Sequence, residues 1–183
     1  MADVTAIIAT PRKNGNCVAI VNRMVETLRA EGKTVDVFNL RDVQGSGCVA
    51  CYACKKAGKC VRKDGITPIL DSIAQSGSLI MAVPDYFGQP CSQYRVLEDR
   101  LYGFVGMNEN GFFSTVPGKK AAVVVTSGSG VESDDVIRSV SKVLTNYLQA
   151  EVVGTMHYQE RPDGPAAENP GALDEASALA KKL

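Results

Sequence analysis

The sequence predicts an α/β protein with three layers, in which helices cover both faces of a five-stranded parallel sheet. Short runs of consecutive apolar residues alternate along the chain with segments whose apolar residues recur at helical spacing. Such runs are typical of strands buried on both faces, as in parallel sheets. The length of 183 residues suits a single domain, residues 1–183.

The first half of the chain contains three predicted strands and two predicted helices. Residues 4–9 form a continuous apolar run, and residues 33–40 are rich in Val and Phe. Between them, Val21, Met24, Val25 and Leu28 recur at helical spacing, and Gly32 stands where a helix C-cap is expected. Residues 66–75 then predict a helix with Pro68 in its first turn, followed by a strand at 79–83.

The second half continues the same alternation. Residues 91–102 predict a helix with Tyr94, Leu97 and Leu101 on one face, followed by a glycine-punctuated loop over 103–118. Loops of that length are usually functional. The remaining predicted elements are a strand at 121–125, a helix at 136–147, a strand at 151–157, a surface connection at 161–171 and a C-terminal docking helix at about 172–183.

Strands separated by helices predict right-handed βαβ units. Five such strands fit the flavodoxin-like three-layer α/β/α sandwich, with a parallel sheet in the order 2-1-3-4-5. In such sheets ligands bind beyond the carboxyl ends of the strands.

The composition excludes several classes of function. Twenty Lys and Arg residues balance twenty Asp and Glu residues, so no net charge attracts nucleic acid or an anionic membrane. The longest apolar stretches are far shorter than the roughly 20 residues that span a bilayer. The first residues carry no basic and apolar signal pattern, so we expect a cytoplasmic protein.

Three loops leave the carboxyl ends of predicted strands: residues 10–17, 84–90 and 126–130. The first, with Thr10, Arg12, Asn14 and Asn16 before a helix, has the donors to hold a phosphate, although a plain turn is the alternative. It matches neither a Walker A loop nor G-x-G-x-x-G.

The other two loops suit a flat ligand. In the second loop Tyr86 and Phe87 can stack on a planar ring, although Phe87 can equally belong to the core. The third loop carries Ser127, Gly128 and Gly130, whose small size lets a ligand approach the main chain, or which simply form a turn before the next helix.

Cysteine usage is unusual. Cys48, Cys51, Cys54 and Cys60 fall within thirteen positions of a loop at 45–64. In a reducing compartment such clustering indicates a metal, an iron–sulfur cluster or redox chemistry rather than disulfides. Cys17 and Cys91 stand alone, and the expectation for each is a small buried hydrophobe.

Together these segments resemble the NAD(P)H-dependent FMN reductase family, and in particular its iron–sulfur flavoprotein branch. The motifs are Thr10-Pro11-Arg12 with Gly15-Asn16, Pro84-x-Tyr86-Phe87-Gly88, Leu97-Glu98-Asp99-Arg100, and Cys48-x2-Cys51-x2-Cys54. The resemblance covers roughly residues 1–160 and implies FMN as cofactor and NAD(P)H as substrate. By position, it assigns Thr10, Arg12, Asn14, Asn16 and Cys17 to the phosphate, Pro84, Asp85, Tyr86, Phe87 and Gly88 to the ring, and Ser127, Gly128 and Gly130 to the ring's polar edge.

Two positions depart from the family pattern. Cys17 stands where Ser or Thr is usual, which removes a good hydroxyl donor to the phosphate. Asp85 stands where a neutral residue is usual, and a carboxylate close to the flavin would lower the flavin's reduction potential.

Three interpretations of the four clustered cysteines stay open. They supply the ligand number of a [4Fe–4S] cluster, and their spacing resembles the family's cluster motif rather than the ferredoxin run. A four-cysteine zinc site is the second interpretation, and free thiols without metal the third. The surrounding Lys55, Lys56, Lys59, Arg62 and Lys63 are expected to form a solvated basic loop.

The resulting hypothesis is an FMN-binding oxidoreductase in which NAD(P)H reduces the flavin, which then reduces a flavin, quinone or similar acceptor. The alternatives are an electron carrier linking FMN, a [4Fe–4S] cluster and ferredoxin, and a non-enzymatic binding module on the same fold. The resemblance also implies a homodimer or homotetramer, with residues 98–100 either at a subunit contact or on a solvated helix face. Phe104, Phe112 and Phe113 are candidates to cover a neighbouring subunit's flavin, and His157 is expected to be structural.

Overall fold

The computed structural model describes residues 2–128 and 133–183. Its strands are β1 Val4–Ile8, β2 Val35–Asn39, β3 Ser78–Tyr86, β4 Gln89–Pro90, β5 Val105–Asn108, β6 Gly111–Ser114, β7 Lys120–Ser127 and β8 Glu151–Gln159. Its α-helices are α1 Asn16–Ala30, α2 Cys54–Ala57, α3 Thr67–Gln75, α4 Ser92–Leu101, α5 Ser133–Lys142, α6 Glu160–Asp163 and α7 Pro170–Ala180. Three 3₁₀ turns lie at Leu40–Asp42, Tyr102–Phe104 and Ala166–Glu168.

The main sheet has the strand order β2-β1-β3-β7-β8, and all four pairings along it are parallel. This confirms the predicted flavodoxin-like order 2-1-3-4-5. The central strands β1, β3 and β7 are buried over most of their length because helices cover both of their faces. The carboxyl ends of the strands therefore meet at one edge, which positions the loops that follow them.

The sheet separates two hydrophobic cores. One contains Ile7 and Met81 and packs under α3, α4 and α5. The other contains Ile8 and Ile80 and packs under α1 and α7. Neighbouring residues of one strand enter opposite cores because side chains alternate across a sheet.

Several elements differ from the predicted ones. Residues 103–118, predicted as a loop, contain the antiparallel hairpin of β5 and β6. The helix predicted at 136–147 begins earlier, at Ser133, and ends in a π-helical turn, Val143–Tyr147. The terminal helix begins at Pro170, because the Asn169 side chain accepts a hydrogen bond from the Ala172 N–H and caps it.

The described residues contain no helix with the length and apolar character needed to cross a membrane.

Candidate functional site

The three predicted loops converge on one cleft at the carboxyl edge of β1, β3 and β7, which we call the strand-edge cleft. Of the predicted residues, Thr10, Arg12, Asn16, Pro84, Asp85, Tyr86, Ser127 and Gly128 line it. Asn14, Cys17, Phe87 and Gly88 do not line it. Gly130 lies outside the described residues.

The first loop presents the start of α1 to the strand-edge cleft. Gly15 is the N-cap residue, and its carbonyl accepts the first helical bonds, from the N–H groups of Val18 and Ala19. The N–H groups of Asn16 and Cys17 precede those bonds and point out of the helix end. A helix end of this kind favours an anion through its dipole and free donors.

Glu160 also lines the strand-edge cleft, and the sequence analysis missed it. Its Oε2 accepts hydrogen bonds from Arg12 Nη1 at 3.3 Å and from Asn16 Nδ2 at 3.2 Å. The Asn16 side chain is fixed by a further bond from the Ala166 N–H to its Oδ1 at 2.9 Å. Two predicted phosphate donors therefore bind a carboxylate of the chain itself. Glu160 directly follows β8, so the strand-end rule that selected the other loops would also have found it.

Cys17 does not line the strand-edge cleft but lies behind Thr126, which does. Its Sγ lies 3.1 Å from the Thr126 hydroxyl inside the core that packs under α1. Burial raises the pKa of this thiol to about 12, so it remains protonated. The side chain at this position therefore contributes packing rather than a donor to the cleft.

The second loop is a tight hairpin turn between β3 and β4. Phe87 and Gly88 both have positive φ, 58° and 71°, as expected for the two central residues of such a turn. The Phe87 ring is fully exposed, so its assignment to the core is wrong. The ring is free to contact a ligand or another molecule.

Asp85 stabilises this turn with both carboxylate oxygens. Oδ1 accepts a hydrogen bond from the Gly88 N–H at 2.8 Å, and Oδ2 accepts one from the Ser133 hydroxyl at 2.8 Å. The carboxylate thus joins the turn to the start of α5. This structural use explains an acidic residue at the wall of the strand-edge cleft.

The third loop brings a hydroxyl and an imidazole together. Ser127 Oγ lies 2.9 Å from His157 Nε2, and the Gly128 carbonyl accepts a bond from the Arg161 N–H at 3.0 Å. These contacts fix the end of β7 against β8 and the segment that carries Glu160.

The four clustered cysteines line a second pocket, which we call the cysteine pocket. Arg100, Tyr102 and Gly103 also line this pocket. Cys48 and Cys51 are exposed, Cys54 is buried and Cys60 is partly buried; all are free thiols. Four cysteines within thirteen consecutive residues therefore line one pocket.

The backbone of this loop is strained. Ala50 and Tyr52 have left-handed φ values of 53° and 57°, which cost about 1–3 kcal/mol each in non-glycine residues. The same conformation turns the Ala50 N–H toward Cys48 Sγ, at an N–Sγ distance of 3.4 Å. Strain of this kind concentrates at ligand sites, where the loop geometry serves a bound group.

Among residues 2–128 and 133–183, no three His, Cys, Asp or Glu side chains are arranged to hold one metal ion. Thiolates around a [4Fe–4S] cluster bind four different irons, so they lie farther apart than thiolates around one zinc ion. The four thiols that line the cysteine pocket are not gathered around one point in the way that a single zinc ion requires.

The basic residues of the loop are not simply solvated as expected. Lys55 donates to the carbonyls of Tyr102, at 2.8 Å, and Val105, and its ammonium lies over the Tyr102 ring. Arg62 donates to the Gly47 carbonyl at 2.9 Å. The Lys55 contacts attach the loop to the turn after α4 and to the hairpin, whereas the Arg62 contact joins the two ends of the loop.

The segment Glu98–Arg100 is also less exposed than a solvated helix face would be. Glu98 and Arg100 are buried on α4. Burial raises the pKa of the Glu98 carboxyl, against the opposing effect of Arg95, with which it forms an ion pair. The solvated interpretation is wrong for these two residues.

Comparison with known proteins identifies relatives by sequence. A family model described as NADPH-dependent FMN reductase matches residues 2–160. An iron–sulfur flavoprotein of Methanosarcina thermophila is 26% identical over 181 residues, which are 98% of this chain and 92% of the relative. One of Methanocaldococcus jannaschii is 31% identical over 97 residues, about half of each chain.

Solved structures share the fold. An azoreductase from Bacillus anthracis matches with a TM-score of 0.73 at 16% identity, and the match covers 100% of both chains. A putative quinone reductase from Klebsiella pneumoniae matches with a TM-score of 0.70 at 21% identity, covering 100% of this chain and 84% of the other.

Proposed function

The chain belongs to the NADPH-dependent FMN reductase family, and we propose that it is an FMN-binding oxidoreductase with a [4Fe–4S] cluster in the cysteine pocket. The observation that carries the proposal is the position of four thiols around one pocket. They come from a single short loop whose backbone is strained, whose two ends are joined by the Arg62–Gly47 hydrogen bond and which Lys55 attaches to the rest of the protein.

The strand-edge cleft is proposed to bind FMN. Arg12, Asn16 and the first N–H groups of α1 supply donors suited to a phosphate. Tyr86 and the exposed Phe87 are proposed to lie along the ring, with Ser127 and Gly128 at its polar edge. Binding of the phosphate requires Glu160 to release Arg12 and Asn16.

When bound, FMN supplies the ring that accepts and donates electrons. The side chains described at the cleft are proposed to position and hold the flavin. We propose NAD(P)H or a ferredoxin as electron donor and a flavin, quinone or similar compound as acceptor. Cys48, Cys51, Cys54 and Cys60 are proposed to hold the cluster.

A plain NAD(P)H-dependent FMN reductase is the second candidate. The match to the NADPH-dependent FMN reductase family over residues 2–160 favours it. In that case the four cysteines are free thiols, as in a reducing cytoplasm, and the redox chemistry depends on FMN alone.

We also propose that the protein forms a homodimer or homotetramer. The β5–β6 hairpin exposes Met107, Phe112 and Phe113, and exposed apolar groups of this kind favour contact with a second copy. The mass of the native protein in solution, measured by light scattering during gel filtration, tests this proposal.

Anaerobic purification followed by flavin, iron and sulfide analysis tests the function. FMN with about four irons per chain supports the proposed function. FMN without iron, together with steady NADH or NADPH oxidation, supports the second candidate. A protein that fails to bind added FMN contradicts both and favours a non-enzymatic binding module.

A further inference from the structure

Arg100 lies in the last turn of α4 with a side chain that is 0% exposed. Its Nε donates to Cys60 Sγ at 3.1 Å. Its Nη1 donates to the Ser46 carbonyl at 3.0 Å and to Asp64 Oδ2 at 2.8 Å. The guanidinium therefore connects the helix to both ends of the cysteine loop.

The other terminal nitrogen, Nη2, is buried and has no hydrogen-bond partner among the described residues. Arg100 also lines the cysteine pocket. A buried N–H of a charged group is costly when it lacks an acceptor, and native structures satisfy nearly all of them. An acceptor held in the pocket would complete the hydrogen bonding of Arg100.

The guanidinium groups of Arg62 and Arg100 at the cysteine pocket favour a bound anion. Asp64 Oδ2 lies 2.8 Å from Arg100 Nη1 and 3.7 Å from Arg62 Nη2, so one carboxylate faces two guanidinium groups. One carboxylate does not balance two guanidinium groups. An iron–sulfur cluster bound by four thiolates does, because the thiolates and sulfides outweigh the charge of the irons.

Gly103 holds Cys60 close to the end of α4. A Cβ at this position would lie 2.9 Å from the Cys60 backbone nitrogen, closer than real Cβ contacts allow. Close contact of the two backbones keeps Cys60 within reach of Arg100, which precedes Gly103 by three residues.

We propose that Arg100 is a positioning residue for the cluster in the cysteine pocket. It orients Cys60 through Nε, donates its remaining N–H groups to an anionic sulfur of the bound group, and by its charge favours the reduced form. The inference rests on the proposed cluster and goes beyond it, because it assigns the redox tuning of that site to a residue outside the cysteine motif.

Three variants separate this role from a purely structural one. Arg100→Gln removes the charge and the guanidinium donors, and Arg100→Lys keeps the charge. Asp64→Asn removes the negative charge of the carboxylate that accepts a hydrogen bond from Arg100 Nη1. Each purified protein is reconstituted anaerobically with ferrous iron and sulfide. The measurements are iron per chain, the rate of cluster loss to a chelator, and the cluster's midpoint potential.

We expect Arg100→Gln to lose its cluster about tenfold faster than wild type and to have a lower midpoint potential. Arg100→Lys recovers part of the potential, and Asp64→Asn shifts it upward because a negative charge is removed. If Arg100→Gln fails to fold, judged by far-ultraviolet circular dichroism, the comparison of Arg100→Lys with Asp64→Asn carries the test.

Equal potentials in wild type and Arg100 variants would overturn the inference while leaving the proposed cluster intact. Shifts of the same sign in the Arg100 and Asp64 variants would also overturn it, because they indicate a disturbed loop. Failure of the wild type itself to take up iron contradicts the proposed cluster as well, so the two failures are distinguishable.

Discussion

The strand-edge cleft and the cysteine pocket both pair a guanidinium with a carboxylate of the chain, Glu160 and Asp64 respectively, but among the described residues one buried guanidinium nitrogen of the pocket is left over. In the cleft, Arg12 and Asn16 bind the carboxylate of Glu160, which belongs to the chain. In the pocket, Arg100 keeps a buried nitrogen without a partner among the described residues. A phosphate that binds in the cleft must therefore compete with Glu160 and is expected to exchange, whereas an anion bound in the pocket is expected to be retained.

Loss of a cysteine from the pocket is expected to have the largest effect. Cys54→Ser removes a buried thiol of the pocket, so most of the iron is lost after anaerobic reconstitution, while FMN affinity stays close to that of wild type. Cys91→Ser is the matched control, because Cys91 is buried elsewhere and donates to the Ala9 carbonyl, which a serine can also do. Equal iron loss in both variants would show that the loss is not specific to the cysteine pocket, and would contradict a cluster site there that is separate from the flavin site.

The next effect concerns the phosphate end of the cleft. Arg12→Ala is expected to weaken FMN binding about tenfold, because a charge-assisted hydrogen bond to the phosphate is lost at a partly exposed site. Riboflavin, which has no phosphate, keeps its affinity. Flavin fluorescence titration measures both, with Lys13→Ala as a control for a neighbouring exposed charge outside the cleft. A similar loss for riboflavin would place Arg12 away from the phosphate.

Removing the competing carboxylate sharpens the comparison. Glu160→Gln is expected to tighten FMN binding about two- to fivefold, since an ion pair with both partners partly exposed is worth at most about 1 kcal/mol. Riboflavin affinity is unchanged. Glu168→Gln, an exposed residue of the same connection, provides the control. Weaker FMN binding by Glu160→Gln would show that the carboxylate supports the phosphate site instead of competing for it.

Acid is expected to destabilise the cysteine loop through Asp64. The hydrogen bond from Arg100 lowers the pKa of the Asp64 carboxyl. Its stabilising contribution is present above the unfolded pKa of about 3.9 and is lost as the pH falls through the lower folded value. The difference in Tm between wild type and Asp64→Asn should therefore shrink below about pH 4. Asp71→Asn, which affects an exposed pair with Lys59, should show no such dependence.

The smallest effect is expected at Cys17. Cys17→Ser should change FMN affinity less than about twofold, because the side chain contacts Thr126 in the core and its backbone N–H is unchanged. A large gain in FMN affinity, measured by the same titration, would show that the hydroxyl reaches the phosphate after all.

The sheet and most of the strand-edge cleft could be predicted from the sequence because they depend on local patterns. Five apolar runs predict the strands, the flavodoxin-like fold that they fit supplies the strand order, and the rule that ligands bind at strand ends selects the loops at Thr10, Pro84 and Thr126. The side chain of Cys17 could not be placed in this way. A helix start fixes where its backbone N–H groups point, but the direction of the thiol depends on packing against β7.

Contacts between distant parts of the chain were missed. Glu160 meets Arg12 across 148 positions, and Arg100 meets Cys60 across 40, so no short motif contains either pair. The charges of residues 98–100 suggested a solvated helix face or a subunit contact, whereas Arg100 lies three positions after the buried Leu97 and is itself buried. The β5–β6 hairpin was missed because Gly106 and Asn108 disfavour a strand by propensity, whereas pairing with β6 stabilises it.

The most direct test of two separate redox sites is the stoichiometry of flavin, iron and labile sulfide in the anaerobically reconstituted wild-type protein and in Cys54→Ser. We predict about one FMN, four irons and four sulfides per wild-type chain, and FMN with little iron in the variant. Wild-type protein that binds FMN but takes up no iron and sulfide would contradict the account and leave the four cysteines as free thiols.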